Sequence, residues 1–170
     1  PTLILLTFAV IFGSCLQQPS KTGNDTASKN MNEIFDSYYE DRLQLFPLEA
    51  TAIADERYND QLPCDISDSY REKLKSFYKK YLDKISTVTR EELRGEDVLS
   101  YDVFKREMEM QLAGLNFKDN LTPFNQFWGM QLTFAQLGSG DGIQPFKTVK
   151  DYENFLGRIH GFTVWCDTAV

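Results

Sequence analysis

Gln144-Pro145-Phe146-Lys147-Thr148-Val149-Lys150-Asp151-Tyr152 opens a segment that runs on to Val170. Thr148 and Asp151 have the S/T-x-x-D spacing in which a hydroxyl and a carboxylate cap the first free N–H groups of a helix, and Pro145 stops any helix arriving from upstream. Beyond that start, apolar residues recur at Tyr152, Phe155, Leu156, Ile159, Phe162, Cys166 and Val170, the i, i+3, i+4, i+7 rhythm of a buried helical stripe. Gly157 and Gly161 weaken the helix a little. The closing Trp165-Cys166-Asp167-Thr168-Ala169-Val170 carries no stop signal, so the segment reads as a helix cut off in mid-run and the chain as the front part of something larger.

The same period recurs upstream. Ile34, Phe35, Tyr38, Tyr39 and Leu45 stripe a helix that ends at Phe46-Pro47, and Pro47 suits the first turn of a second helix over residues 48–55, where its missing N–H would be unpaired anyway. Tyr70, Leu74, Phe77, Tyr81 and Ile85 mark a third helix that starts at Ser67 or Asp68, with its lysines on other faces. Thr89 and Glu92 form a second capping pair. Beyond them Tyr101, Phe104, Met108, Leu112 and Leu115 stripe a fourth helix, on which Asp102 and Arg106 stand one turn apart and are placed to pair. Residues 116–143 are the least regular, with room for one short helix before the Gly138-Ser139-Gly140-Asp141-Gly142 loop. No stretch sustains apolar–polar alternation, so the expected fold is all-α, built of several helices.

Composition narrows the function classes. A chain of 170 residues that is 42% hydrophobic and 14% aromatic can bury a core. A formal charge of -7 argues against a nucleic-acid partner, because neutralising phosphates needs clustered Lys and Arg. Cys15, Cys64 and Cys166 are odd in number and match no metal-ligand spacing, which argues against a disulfide framework.

Residues 1–14 carry no charged side chain and hold an apolar run from Leu3 to Phe12, too short to span a bilayer but suited to a secretory signal. Gly13-Ser14 before Cys15 resembles the bacterial lipobox, in which the cysteine is acylated and becomes the mature N-terminus. Phe12 departs from the usual Leu, and no basic residues precede the run. Residues 1–14 are therefore expected to be a lipoprotein signal peptide and Cys15 a lipid anchor holding the protein on a bacterial envelope membrane, on its periplasmic or outer side. Residues 15–30, rich in Gln, Ser, Thr, Asn and Lys, are expected to be a flexible tether, and residues 31–170 the helical domain.

One histidine, His160, limits the chemistry. An H-E-x-x-H site needs two histidines one turn apart so that both reach one ion. A Glu-x-x-His site fails because Gly157 stands three residues before His160. A lone histidine beside an apolar stripe is a packing or surface residue, and no local motif places a nucleophile near it. The glycine loop has neither the G-x-G-x-x-G form nor a preceding strand. The rings of Phe124, Phe127, Trp128 and Phe134 are first read as core packing, with the alternative that they wall a ligand cleft to which Gln126 and Gln131 add polar handles.

Taken together, Leu45-Phe46-Pro47-Leu48-Glu49-Ala50-Thr51, Arg57-Tyr58-Asn59-Asp60-Gln61-Leu62-Pro63, Gln144-Pro145-Phe146 and Asp151-Tyr152-Glu153-Asn154-Phe155-Leu156-Gly157-Arg158 resemble the N-terminal region of the domain-of-unknown-function family 885. The resemblance implies a large, nearly all-helical protein, often a bacterial lipoprotein, related to gluzincin-like zinc metallopeptidases. It implies a His-Glu-x-x-x-Gly-His motif downstream of the region matched, so no zinc ligand or catalytic residue carries over to any position here, and zinc is expected only in a full-length parent. Phe124, Gln126 and Trp128 are then the residues expected to face a peptide substrate. The reading from another class is a helical lipoprotein that binds a ligand or partner without chemistry.

Overall fold

The structure is a computed structural model, and it describes residues 25–170. Cys15 and the expected signal peptide lie outside the described residues. Among the described residues six α-helices follow one another: α1 Asp25–Leu45, α2 Pro47–Ala52, α3 Asp68–Ile85, α4 Glu96–Gly114, α5 Met130–Leu137 and α6 Val149–Ala169. No strand occurs among the described residues, and the all-α expectation holds.

Helices α1, α3 and α4 pack into a three-helix unit. Their stripes meet in two adjoining clusters, one around Met31, Ile85, Leu93 and Tyr101 and the other around Phe77, Tyr78, Tyr81 and Met108. Tyr38 centres an aromatic group, stacked on Phe77 at 5.2 Å and edge-on to Phe104 at 5.0 Å. Such pairs add about 0.5–1.5 kcal/mol beyond the area they bury. Ser67 caps α3 by accepting from the Tyr70 N–H at 3.2 Å, which settles the start of that helix in favour of Ser67 over Asp68 as the capping residue.

Three local expectations are corrected. Residues 25–30, expected within the tether, form the first turns of α1, because Ala27 and Met31 pack against Ile85 and Val88. Thr89 and Glu92 bound a single 3-10 turn, Arg90–Glu92, in which the Thr89 side chain makes no cap; α4 starts later, after Gly95 at φ 57. Asp102 pairs not with Arg106 but with Arg90, through bonds of 2.7 and 2.6 Å, because that turn folds Arg90 back over α4.

Helix α2 ends in a left-handed residue, Ala54 at φ 62. The Asp55 N–H donates to Ala50 O at 2.9 Å and the Ala54 N–H to Thr51 O at 3.0 Å, the paired bonds of a Schellman cap. This reversal sends residues 55–63 back along α6.

Helix α6 begins as its sequence indicates. Thr148 Oγ1 accepts from the Asp151 N–H, and the Asp151 carboxylate accepts from the N–H groups of Thr148 and Lys147 at 2.8 and 2.9 Å. Those backbone donors hold the Asp151 pKa below the usual range. The buried face differs from the expected one. Tyr152, Leu156 and Ile159, read as a buried stripe, are 57%, 63% and 40% exposed. Asp151, Asn154, Arg158 and Trp165 are buried instead. Phe155 and Phe162 turn toward α5, where both stack on Phe134, Phe162 at 4.1 Å.

Candidate functional site

Two features stand where α6 meets the rest of the chain: a buried arginine and, one end of the helix further on, an open notch. Arg158 is fully buried. Its Nη2 donates to Thr51 Oγ1 at 2.6 Å and to Tyr58 O at 3.2 Å, its Nε to Gln61 O at 3.2 Å, and its Nη1 to Gln144 Oε1. Thr51 in turn donates to Asn59 Oδ1 at 2.7 Å. No ion pair of Arg158 is present among the described residues, so backbone carbonyls and amides solvate the guanidinium. Burial pulls its pKa down to about 10, with the negative charge of Asp60 acting the other way. Gly157 and Gly161 permit the approach: a Cβ at these positions would stand 2.6 Å from Asp60 O and 2.5 Å from Leu62 O. This cluster joins α2, the connection of residues 55–63 and α6, and it is too enclosed to meet a substrate.

Trp165 links the cluster to the notch. Its Nε1–H donates to Asp65 Oδ1 at 2.8 Å. Asp65 lies at the surface, yet the protein packed round its carboxyl raises its pKa, partly offset by the Trp165 bond. Asp65 borders a cavity of about 400 Å3 together with Phe46, Tyr70, Arg71, Tyr78 and Asn120. The Tyr70 hydroxyl, its pKa raised by burial, donates to Leu45 O at 2.6 Å. Arg71 spans from α3 to Leu115 O, Phe117 O and Asp119, closing the C-terminal end of α4.

The sequence-named residues Phe124, Gln126 and Trp128 sit on the loop beside this notch, and all three are exposed. The first reading of the rings as core packing holds for Phe134, which stacks on Phe155 and Phe162, and is corrected for Phe127 and Trp128, which are 73% and 70% exposed and paired with each other at 6.0 Å. Phe124 stands edge-on to Trp165 at 5.6 Å, next to Asp65, without lining the cavity itself. Local bonds fix the loop. The Phe127 N–H donates to Asn125 Oδ1 at 2.8 Å, and Gln131, in the first turn of α5, folds over Gly129 to donate to Asn125 O at 2.8 Å. Gln131 Oε1 is left buried without a partner among the described residues. Gln126 and Trp128 are not brought to the cavity wall.

The cavity presents the Asp65 carboxylate and the rings of Phe46, Tyr70 and Tyr78, while the Arg71 guanidinium on its wall is already engaged by Leu115 O, Phe117 O and Asp119. Asp65, Tyr70 and Trp165 were missed in the sequence; the only available signal was a tryptophan, a large ring with a polar N–H that requires a partner when buried. His160 is exposed on α6 beside Lys73 and Gln61. Among the described residues no three His, Cys, Asp or Glu side chains gather as metal ligands would.

Residues 47–170 match the model of a family described as bacterial protein of unknown function (DUF885). The chain belongs to that family. No curated protein and no solved structure shows significant similarity to it. The four stretches on which the resemblance rests converge in the DUF885 fold: Pro47 and Thr51, Tyr58 and Gln61, and Gln144 each supply an acceptor to Arg158.

Proposed function

We propose that this chain is the N-terminal, non-catalytic portion of a larger, membrane-anchored helical protein akin to zinc metallopeptidases, in which its notch forms one wall of a peptide-binding cleft. The observation that carries the reading is the fixed, exposed aromatic loop. Phe124, Phe127 and Trp128 are exposed on one loop, with Phe124 edge-on to the Trp165 that bonds Asp65 at the cavity, and rings displayed this way favour an extended peptide with apolar side chains. Phe124, Gln126 and Trp128 are the contacts with substrate, Cys15 is the lipid anchor, and the compartment is the bacterial envelope. Any zinc is held by residues outside this chain, where it would supply Lewis-acid activation of a water or carbonyl. The residues described here bind and orient.

The test is made on the product of the whole gene, expressed without residues 1–15. About one zinc per chain with chelator-sensitive peptide hydrolysis supports the reading. Trp128→Ala and Phe124→Ala should then raise KM several-fold while kcat stays near the parent value, the signature of lost uniform binding. Absence of both zinc and cleavage would contradict it.

A further inference from the structure

The exposed side of α6 has a regular form. Val149, Tyr152, Leu156, Ile159 and Thr163 follow one another at spacings of three and four residues, and all five are exposed. That 3.5-residue period defines a seam into which a second helix packs knobs-into-holes at a shallow angle. At 1.5 Å per residue the seam from Val149 to Thr163 runs about 21 Å, four turns of helix.

The two borders of the seam differ. On one side Phe155 and Phe162 are occupied by Phe134 of α5. On the other stand Glu153, His160 and Asp167, one heptad apart and all exposed. The open border is acidic, so a complementary helix carries Lys or Arg beside its apolar stripe. A second copy of α6 is poorly suited. Paired antiparallel it sets the Glu153–Asp167 border against itself, and paired parallel it needs the border that α5 already covers.

We infer that the outer face of α6 is the docking seam for an amphipathic α-helix with a basic flank, supplied by the remainder of the larger protein proposed above. The inference rests on that reading for the source of the helix and not on its peptidase activity. A protein that binds no zinc leaves the seam intact, whereas a seam that binds nothing leaves the zinc assay untouched.

The experiment titrates the full 170-residue chain with two labelled helical peptides of four heptads. They share one leucine stripe and differ only in carrying lysine or glutamate along the flank. The expected result is that the lysine peptide binds at least about tenfold more tightly, that Glu153→Lys with Asp167→Lys reverses the preference, and that Leu156→Glu abolishes binding while the thermal melting curve is unchanged. In the whole-gene product, Leu156→Cys should be protected from maleimide, whereas in the 170-residue chain it should react freely. Equal binding of both peptides, binding of neither, or indifference to Leu156→Glu would overturn the inference. So would a monomer–dimer equilibrium or vesicle binding that Leu156→Glu removes, because these assign the face to a second copy or a bilayer.

Discussion

Tyr81 and Arg158 are both completely buried, one inside the α1–α3–α4 unit and the other where α6 meets residues 47–63, and their surroundings differ in kind. Around Tyr81 lie Tyr38, Phe77 and Met108, and its hydroxyl alone reaches out, to Ser37 O and Asp41 at 2.7 and 2.6 Å. Around Arg158 lie three backbone carbonyls, a threonine and a glutamine. The first region coheres through apolar area removed from water, which tolerates changes that preserve volume. The second coheres through directional bonds to a charge, and there a lost partner leaves buried groups unsatisfied. Apolar periodicity therefore identifies which face of a helix is apolar, but it identifies the buried face only where apolar packing is what buries it.

Substitutions can break this contrast from either side. In the apolar unit, Met108→Ala should cost about 2–5 kcal/mol in urea unfolding, the range for emptying a fully buried methionine site. At the α6 contact, Gly161→Ala removes nothing and adds one methyl, yet its Cβ would meet Leu62 O at 2.5 Å. A loss of about 1–3 kcal/mol is expected from overpacking; a gain, as helix propensity alone predicts, would show that the helix is free to move away from residues 60–62. The smallest effect sharpens the picture at the turn feeding the arginine cluster. Ala54 holds the left-handed cap position where glycine carries no Cβ penalty. Ala54→Gly should therefore raise the melting temperature, by the equivalent of about 1 kcal/mol.

Much of the fold was legible in the sequence. The stripes of α1, α3 and α4, the Pro47 start of α2, the Ser67 cap and the Thr148–Asp151 box all follow from local rules, since each concerns a helix with its own end groups or one apolar face. The Arg90–Asp102 pair was not legible, because it depends on how a turn folds across twelve residues. The burial of Arg158 was hidden for a related reason: its acceptors come from residues up to 111 positions away, and nothing within α6 distinguishes it from a solvated arginine. Gly157 and Gly161 were the available clue. They read as weak points of a helix and prove to be where another backbone passes closest. For the candidate site, the sequence placed Phe124, Gln126 and Trp128 on one loop but could not say that none of the three lines the cavity. The partnership of Asp65 with Trp165 spans 100 residues and was out of reach of local reading.

The most direct test of the account is the urea stability of Arg158→Met beside that of Leu156→Ala, two residues apart on α6. If the helix is held by its polar face, the arginine change should cost about 3–5 kcal/mol by orphaning the carbonyls of Tyr58 and Gln61 and the amide of Gln144. The leucine change, on a residue 63% exposed, should stay within about 0.5 kcal/mol. The reverse order, with Leu156→Ala strongly destabilising and Arg158→Met neutral, would show that α6 is seated on its apolar stripe and would contradict the account.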